Sequence, residues 1–230
     1  MIDLYTWVTP NGYKVHILLE ELALDYAAHA VNIQRGDQFE PDFLRISPNN
    51  RIPAIVDHDG PNGRPVSVFE SGAIMLYLAE KTGRFLPADP RDRVAMQEWL
   101  MFQMGNVGPM FGQVGHFTQY APRRIDYAVD RYTREMHRLL GVMDRRLGEV
   151  AYLAGDYGLA DMATFPWVRS ARRFGAELCD YPNLNHWYQA IRARPAVARG
   201  LAVLAEYKNA TPLSDEAKEQ LFGDTQYQRR

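Results

Sequence analysis

Ser47-Pro48-Asn49-Asn50-Arg51-Ile52-Pro53-Ala54-Ile55-Val56-Asp57-His58 is a polar turn that runs, through a proline, into an apolar strand. Proline has no N–H to give a sheet and is a poor strand resident. Pro53 at the start of a strand over 52–56 therefore marks a special backbone geometry. A cis Ile52–Pro53 bond would turn the backbone groups of Ile52 toward a ligand. Only about 5–6% of X–Pro bonds are cis, and the local context by itself leaves the trans form ahead. Downstream, Pro61-Asn62-Gly63 is turn chemistry, and Val66 to Phe69 makes a second strand that closes an antiparallel hairpin. Ser71 to Thr82 then reads as a helix, with Gly83 as its stop signal. Upstream, residues 34–50 are polar and irregular, with one helical turn near Pro41-Asp42-Phe43. Ala28 to Ile33 reads as a strand. Val15, Leu18, Leu19 and Leu22 lie at helical spacing after the turn Thr9-Pro10-Asn11-Gly12. Ile2, Leu4, Tyr5 and Trp7 suit a short buried strand. The order is βαβ followed by ββα.

The segment GRFLPADP, residues 83–90, has the proline and glycine content of an interdomain linker. Beyond it the pattern is helical: one helix over 92–104, a long one over 125–147, and others over Leu159 to Arg172 and Leu184 to Arg194. In the long helix Ile125, Ala128, Val129, Tyr132, Met136, Leu139, Leu140, Met143 and Leu147 share one stripe. A short helix is expected near Asp215 to Leu221. The expected organisation is an α/β domain over 1–83, an all-helical domain over 91–210 and a polar tail over 211–230.

Composition narrows the classes of function. The 230 residues are 47% hydrophobic and 23% charged, with a formal net charge of -2, so there is no basic field for nucleic acid. No apolar stretch approaches the ~20 residues of a membrane span, and no cationic leader precedes an apolar run at Met1. The single cysteine, Cys179, excludes an internal disulfide framework and any CxxC pair, and points to a reduced, cytoplasmic setting. The histidines show no metal-ligand spacing, so no metal site is expected.

Two junctions carry candidate chemistry. At Glu70-Ser71 a strand meets a helix. The helix N-terminus offers free N–H groups and a positive dipole end to a carboxylate, the serine adds a donor, and Glu70 can meet an ammonium. A plain helix cap explains the same residues. At Thr9-Pro10-Asn11 a hydroxyl and an amide sit at another positive helix end, where they could donate to a thiolate, or simply cap the helix. A free thiol titrates near 8.5, and lowering that by about two units takes roughly 2.7 kcal/mol. One charge-assisted hydrogen bond of about 1.5–3 kcal/mol, with a dipole contribution of about 0.3–1, is enough without a strong base.

Taken together, these blocks resemble the glutathione transferases. The stretches Met1 to Tyr5, Thr9 to Gly12, FLRISPNN (43–50), IPAIVDH (52–58), FESGAIMLYLAEKT (69–82) and YAVDRY (127–132) are most similar to the bacterial nu class, the glutathione-dependent disulfide-bond oxidoreductases. The resemblance implies a thioredoxin-like first domain, an all-helical second domain and a homodimer. It implies glutathione as co-substrate, and glutathione disulfide and a small disulfide or electrophile as partners. It assigns Thr9 and Asn11 to the glutathione sulfur. Ile52, beside cis-Pro53, is assigned to the cysteinyl backbone, Glu70 and Ser71 to the γ-glutamyl amine and carboxylate, and Gln38 to the glycine end. Arg131, which falls off the apolar stripe of its helix, is assigned to the bound glutathione or its disulfide. Gln113 and His116, in an irregular aromatic stretch after the first long helix, are assigned to the second-substrate side.

With one cysteine far from these motifs, thiol–disulfide exchange has to use bound glutathione as nucleophile. Conjugation to electrophiles or ether cleavage would use the same thiolate, and a non-catalytic glutathione-binding regulatory module is the alternative of another class. The sequence departs from the family pattern in two places. Tyr5 lies in the strand before the turn, where it is a further candidate activator. The second domain's helix-starting box reads Gly158-Leu159-Ala160-Asp161, with glycine where serine or threonine is usual.

Overall fold

Ile2, Leu4 and Thr6 are buried while Asp3 and Tyr5 between them are half-buried, the period-two pattern of a strand with unequal faces. The computed structural model, which describes residues 1–208 and 213–228, makes Ile2–Thr6 the strand β1. The chain divides into two compact units, Met1–Ile74 with Gly200–Arg230, and Met75–Arg199.

In the first unit β1 leads to helix α1, Pro10–Leu22, and strand β2, Tyr26–Ala30. A turn at Asp37–Phe39 and a short helix α2, Pro41–Ile46, follow. The strands β3, Ala54–Asp57, and β4, Val66–Phe69, come next, then helix α3, Ser71–Thr82. The sheet order is β2-β1-β3-β4. β1 and β2 are parallel, and β1–β3 and β3–β4 are antiparallel, the thioredoxin-like arrangement the resemblance implies. Register places Leu4 opposite Ala28 and Ile55, so Leu4 and Ile55, both fully buried, share one face. α1 is tied to that face where His16 Nε2 meets Thr6 Oγ1 at 2.8 Å. On the opposite face Val31, Phe43 and Ala54 form a second small core with Tyr5, Ile46 and Ile52 packed against it. Phe43 and Ile46 of α2 thus anchor the loop that carries Ile52. The C-terminal residues belong to this unit too. Trp7 packs on Tyr207 with ring centroids 4.9 Å apart, and helix Asp215–Phe222 buries Ala217.

Strand limits differ from those read in the sequence. Residues 26–30 and 54–57 pair, where 28–33 and 52–56 were expected, because pairing with β1 decides the limits. Ile52 and Pro53 lie just before β3.

The second unit is all helical among its described residues: α4 (Pro90–Phe102), α5 (Gly108–Gly115), α6 (Asp126–Leu147), α7 (Leu159–Ala171), α8 (Pro182–Arg192) and the start of α9 (Pro195–Ala202). α7 is buried on nearly every side, from Leu159 to Pro166 without a break, the mark of a central helix. Helices α4, α5 and α8 pack against it, and Leu100, Phe111 and Trp187 on them are each at most 1% exposed. Two sequence expectations are corrected here. The stretch through Phe111, Gly112, Gln113, His116 and Phe117 is helical, not irregular. It runs through α5 and is bracketed by wide π-type turns at Gln103–Val107 and His116–Tyr120. Gly115 in this stretch serves close packing: a Cβ there would lie 2.9 Å from the Phe174 ring. Residues 195–202, unassigned in the sequence, form α9. Residues 209–212 and 229–230, which fall at the end of the expected second domain and in the expected tail, lie outside the described residues. Among the described residues no helix is long and apolar enough to cross a membrane.

Candidate functional site

Three segments of the first unit converge on one pocket of about 260 Å³. α1 supplies Asn11, the loop before β3 supplies Ser47, Asn49, Arg51, Ile52 and Pro53, and the β4–α3 junction supplies Phe69, Glu70 and Ser71.

The start of α1 is built by its own sequence. Thr9 is the N-cap, extended at φ -125°, and its Oγ1 accepts from Gly12 N at 3.2 Å. Pro10 takes the first helical position, where its missing N–H costs nothing. Gly12 is obligatory. A Cβ there would lie 2.2 Å from the Trp7 carbonyl oxygen, so α1 can leave β1 this tightly only over a glycine. Asn11 lines the pocket; Thr9, two residues before it, does not.

The loop is held by Ser47. It is fully buried and donates its hydroxyl proton to the Arg51 carbonyl at 2.8 Å, while Asn50 N donates to the Ser47 carbonyl at 2.9 Å. These bonds close residues 47–51 into a rigid turn and present Ile52 at the pocket edge. The Ile52–Pro53 bond is cis.

At the third segment Glu70 has φ +69°, a left-handed conformation that costs a non-glycine residue about 1–3 kcal/mol. Its carbonyl accepts from Ile74 N at 2.9 Å, so Glu70 caps α3. Its carboxylate accepts from Asn49 Nδ2 at 3.3 Å, which ties the junction to the loop. The first N–H groups of α3 have no acceptor within the helix and give this end of the pocket a positive potential.

Sequence reasoning did not single out Lys14. It lies on α1 one turn beyond Asn11, is 2% exposed, and its ammonium donates to Ser71 Oγ at 3.3 Å. Burial pulls its pKa down to about 7, against the neighbouring Glu70 charge, which favours the ammonium. A lysine between Tyr13 and Val15, on a helix face shared with Leu18, was the available signal.

Not every candidate from the sequence meets the pocket. Gln38 is 1% exposed and turned inward, its amide donating to the Ile33 carbonyl at 3.2 Å. Tyr5 lies on the α2 side of the sheet, its ring stacked on His29 with centroids 5.0 Å apart. Burial, first, and the Asp3 charge raise its pKa. Arg131, Gln113 and His116 belong to the second unit. Arg131 is exposed on α6 and Gln113 is exposed on α5. His116 is half-buried, and burial lowers its pKa. His116 sits edge-on to Phe117, and Phe117 stacks on Tyr132 at 5.5 Å, which links the second π turn to α6 beside Arg131. Among the described residues no group of three or more His, Cys, Asp or Glu side chains is arranged to hold a metal.

Two family models match the chain: "Glutathione S-transferase, N-terminal domain" over residues 1–80 and "Glutathione S-transferase, C-terminal domain" over residues 109–195. The chain is 50% identical over 203 residues to the disulfide-bond oxidoreductase YfcG of Escherichia coli, covering 87% of this chain and 94% of that protein. It is similar to a glutathione transferase from Pseudomonas putida, crystallised with one glutathione disulfide per subunit, with TM-score 0.85 and 46% identity over 88% of this chain and 91% of that one. A glutathione transferase from Burkholderia graminis, crystallised with two glutathione molecules per subunit, matches with TM-score 0.83 and 45% identity over 90% and 89% of the two chains.

Proposed function

The chain belongs to the glutathione S-transferase family, and from that premise we propose that it reduces small disulfides with the thiol of bound glutathione as the nucleophile. The observation that carries this reading is a polar pocket at the start of α1, with no cysteine in its wall, in a chain whose sole cysteine, Cys179, is exposed and belongs to the other unit. The reactive sulfur comes with the ligand.

Residues 1–83 form the tripeptide-binding domain in this proposal, and residues 91–210 the domain that takes the second substrate. The Ile52 backbone, beside Pro53, pairs with the cysteinyl part. Asn11 and Thr9 donate to the sulfur and hold it as thiolate. Glu70 takes the γ-glutamyl ammonium, and Ser71 with the α3 N-terminus takes the carboxylate. Gln38 reaches the glycine end by turning out from Ile33. Arg131, Gln113 and His116 serve the second ligand. The thiolate attacks one sulfur of the disulfide, forming a mixed disulfide and expelling a thiolate that takes up a proton. A second glutathione thiolate then attacks the glutathione sulfur of the mixed disulfide, giving glutathione disulfide and the second free thiol. The two bound states of the relatives, two glutathiones and one glutathione disulfide, correspond to the glutathione consumed and the disulfide formed over the whole cycle. A cytoplasmic setting that keeps glutathione reduced belongs to the same proposal. So does a homodimer, for which Val94 and Met101, 54% and 49% exposed on α4, offer apolar surface.

The test compares turnover of a small aliphatic disulfide with that of a chloronitrobenzene, in wild type and Cys179→Ser. Disulfide turnover is expected to dominate and to change less than about twofold in the variant. Loss of activity in Cys179→Ser would overturn the mechanism. Faster turnover of the electrophile would move the reading to conjugation, and failure to bind glutathione at millimolar concentration to a non-catalytic module.

Glu70 gives a second prediction. Glycine accepts a positive φ without strain, which offsets its own entropy cost of about 0.5–1 kcal/mol. Glu70→Gly is expected to shift unfolding stability by less than about 1 kcal/mol and to raise the glutathione Kd at least tenfold, read by denaturant melts and calorimetry.

A further inference from the structure

Lys14 is a basic side chain tied to the wall of the pocket from within the protein, through Ser71. Keeping an amine at 2% exposure is unfavourable, because desolvation penalises the ammonium. A methionine would fill the same volume on α1 at no such cost. An ammonium can only donate, so Ser71 accepts from Lys14 Nζ with its hydroxyl oxygen, and its O–H is the group it can offer to an acceptor. Bonds chained in this way polarise one another, more strongly where the dielectric is low.

Resting on the reading that glutathione binds with its γ-glutamyl end at Ser71, we infer that Lys14 is a positioning residue for the γ-glutamyl carboxylate. It orients the Ser71 hydroxyl as a donor to that carboxylate and places a buried positive charge directly behind it. Its near-neutral titration fits this role: with a pKa of about 7 and the Glu70 carboxylate as its charged neighbour at the β4–α3 junction, a small added anionic attraction fixes the ammonium form. The arrangement selects for ligands with a carboxylate beside the amine. A peptide bearing the amine alone would meet Glu70 but would leave the Lys14–Ser71 pair without its anion.

The experiment measures, by calorimetry, the Kd of wild type and Lys14→Met for glutathione and for 4-aminobutanoyl-cysteinyl-glycine, the same tripeptide without that carboxylate. In Lys14→Met the glutathione Kd is expected to rise at least tenfold and the Kd of the analogue to change less than twofold. KM for glutathione should rise while kcat at saturation changes less than about threefold. Lys14→Gln, which keeps an N–H donor without charge, is the second variant should Lys14→Met fail to fold, and is expected to show the same selectivity at smaller size. An equal loss for both ligands would make Lys14 a packing residue and overturn the inference, as would no loss for either. Wild-type protein that binds neither ligand would overturn the glutathione reading itself, and the inference with it.

Discussion

Disulfide turnover is expected to fall about 100-fold in a Thr9→Ala, Asn11→Ala double variant, with the bound glutathione thiol titrating about two units higher, near its free value of ~8.5. The magnitude follows from the donors removed. Thr9 Oγ1 accepts from Gly12 N at 3.2 Å, which leaves its single proton as the group it can offer outward. Asn11 lines the pocket itself. A charge-assisted hydrogen bond contributes about 1.5–3 kcal/mol, and two pKa units correspond to about 2.7 kcal/mol, or 100-fold in rate. Thr9→Ala also removes an N-cap, which costs about 1 kcal/mol of stability, so the decisive readouts are the ultraviolet titration of the bound thiolate and turnover well below the melting range. Thr9→Ser, which keeps both hydroxyl and cap, should restore most of the activity when Asn11 is intact. A bound thiol with the same acidity in the double variant as in wild type would remove the basis for the mechanism.

Asp161→Ala is expected to destabilise the protein by about 3–5 kcal/mol while leaving the pocket's own residues untouched. Asp161 is fully buried. Its Oδ1 accepts from Leu153 N at 3.0 Å and Trp187 Nε1 at 2.7 Å, and its Oδ2 from Gly158 N at 3.0 Å. Removing the carboxylate leaves these donors buried without acceptors, at about 1–3 kcal/mol for each unsatisfied group. With glycine at the cap, the Asp161–Gly158 bond is the only half of the capping box that side chains can form. Asp161→Asn does not rescue it, because the amide would set its own N–H against one of the donors. Burial is the largest influence on this carboxyl and raises its pKa to about 6, against the lowering effect of the N–H donors. The native state therefore holds a proton that the unfolded chain releases near 3.8, and wild-type stability falls as pH rises through that window. The difference between wild type and Asp161→Ala should accordingly be larger at pH 4 than above pH 6. Urea unfolding at both pH values checks the prediction, and a loss below about 1 kcal/mol would refute it.

Much of the first unit could be read from local signals. Thr9, Pro10 and Gly12 announce the start of α1, Gly83 ends α3, and alternating apolar residues mark β1 and β4. Glu70-Ser71 could be placed at a strand–helix junction and Ile52-Pro53 at a strand entrance, and these are the segments that meet in the pocket. Two kinds of feature were missed. The stretch through Gly112 and Gly115 reads as irregular in the sequence, yet it is helical, and Gly115 lies where a Cβ would come within 2.9 Å of the Phe174 ring. Lys14 gave no motif to read, because its burial behind Ser71 depends on packing.

The sequence by itself determined the succession of strands and helices in the first eighty residues, the caps and turns at Thr9 and Gly83, and the absence of a second cysteine that would allow a dithiol mechanism. These depend on residues a few positions apart, whose spacing and backbone preferences act before distant parts of the chain meet. Only the tertiary structure decided where strands stop pairing, which charges lie in the interior, and that Lys14 stands behind Ser71, fifty-seven residues away in the chain. Desolvation and steric contact are set by neighbours distant in sequence, so the acidity and orientation of a buried group become defined only once those neighbours are packed around it.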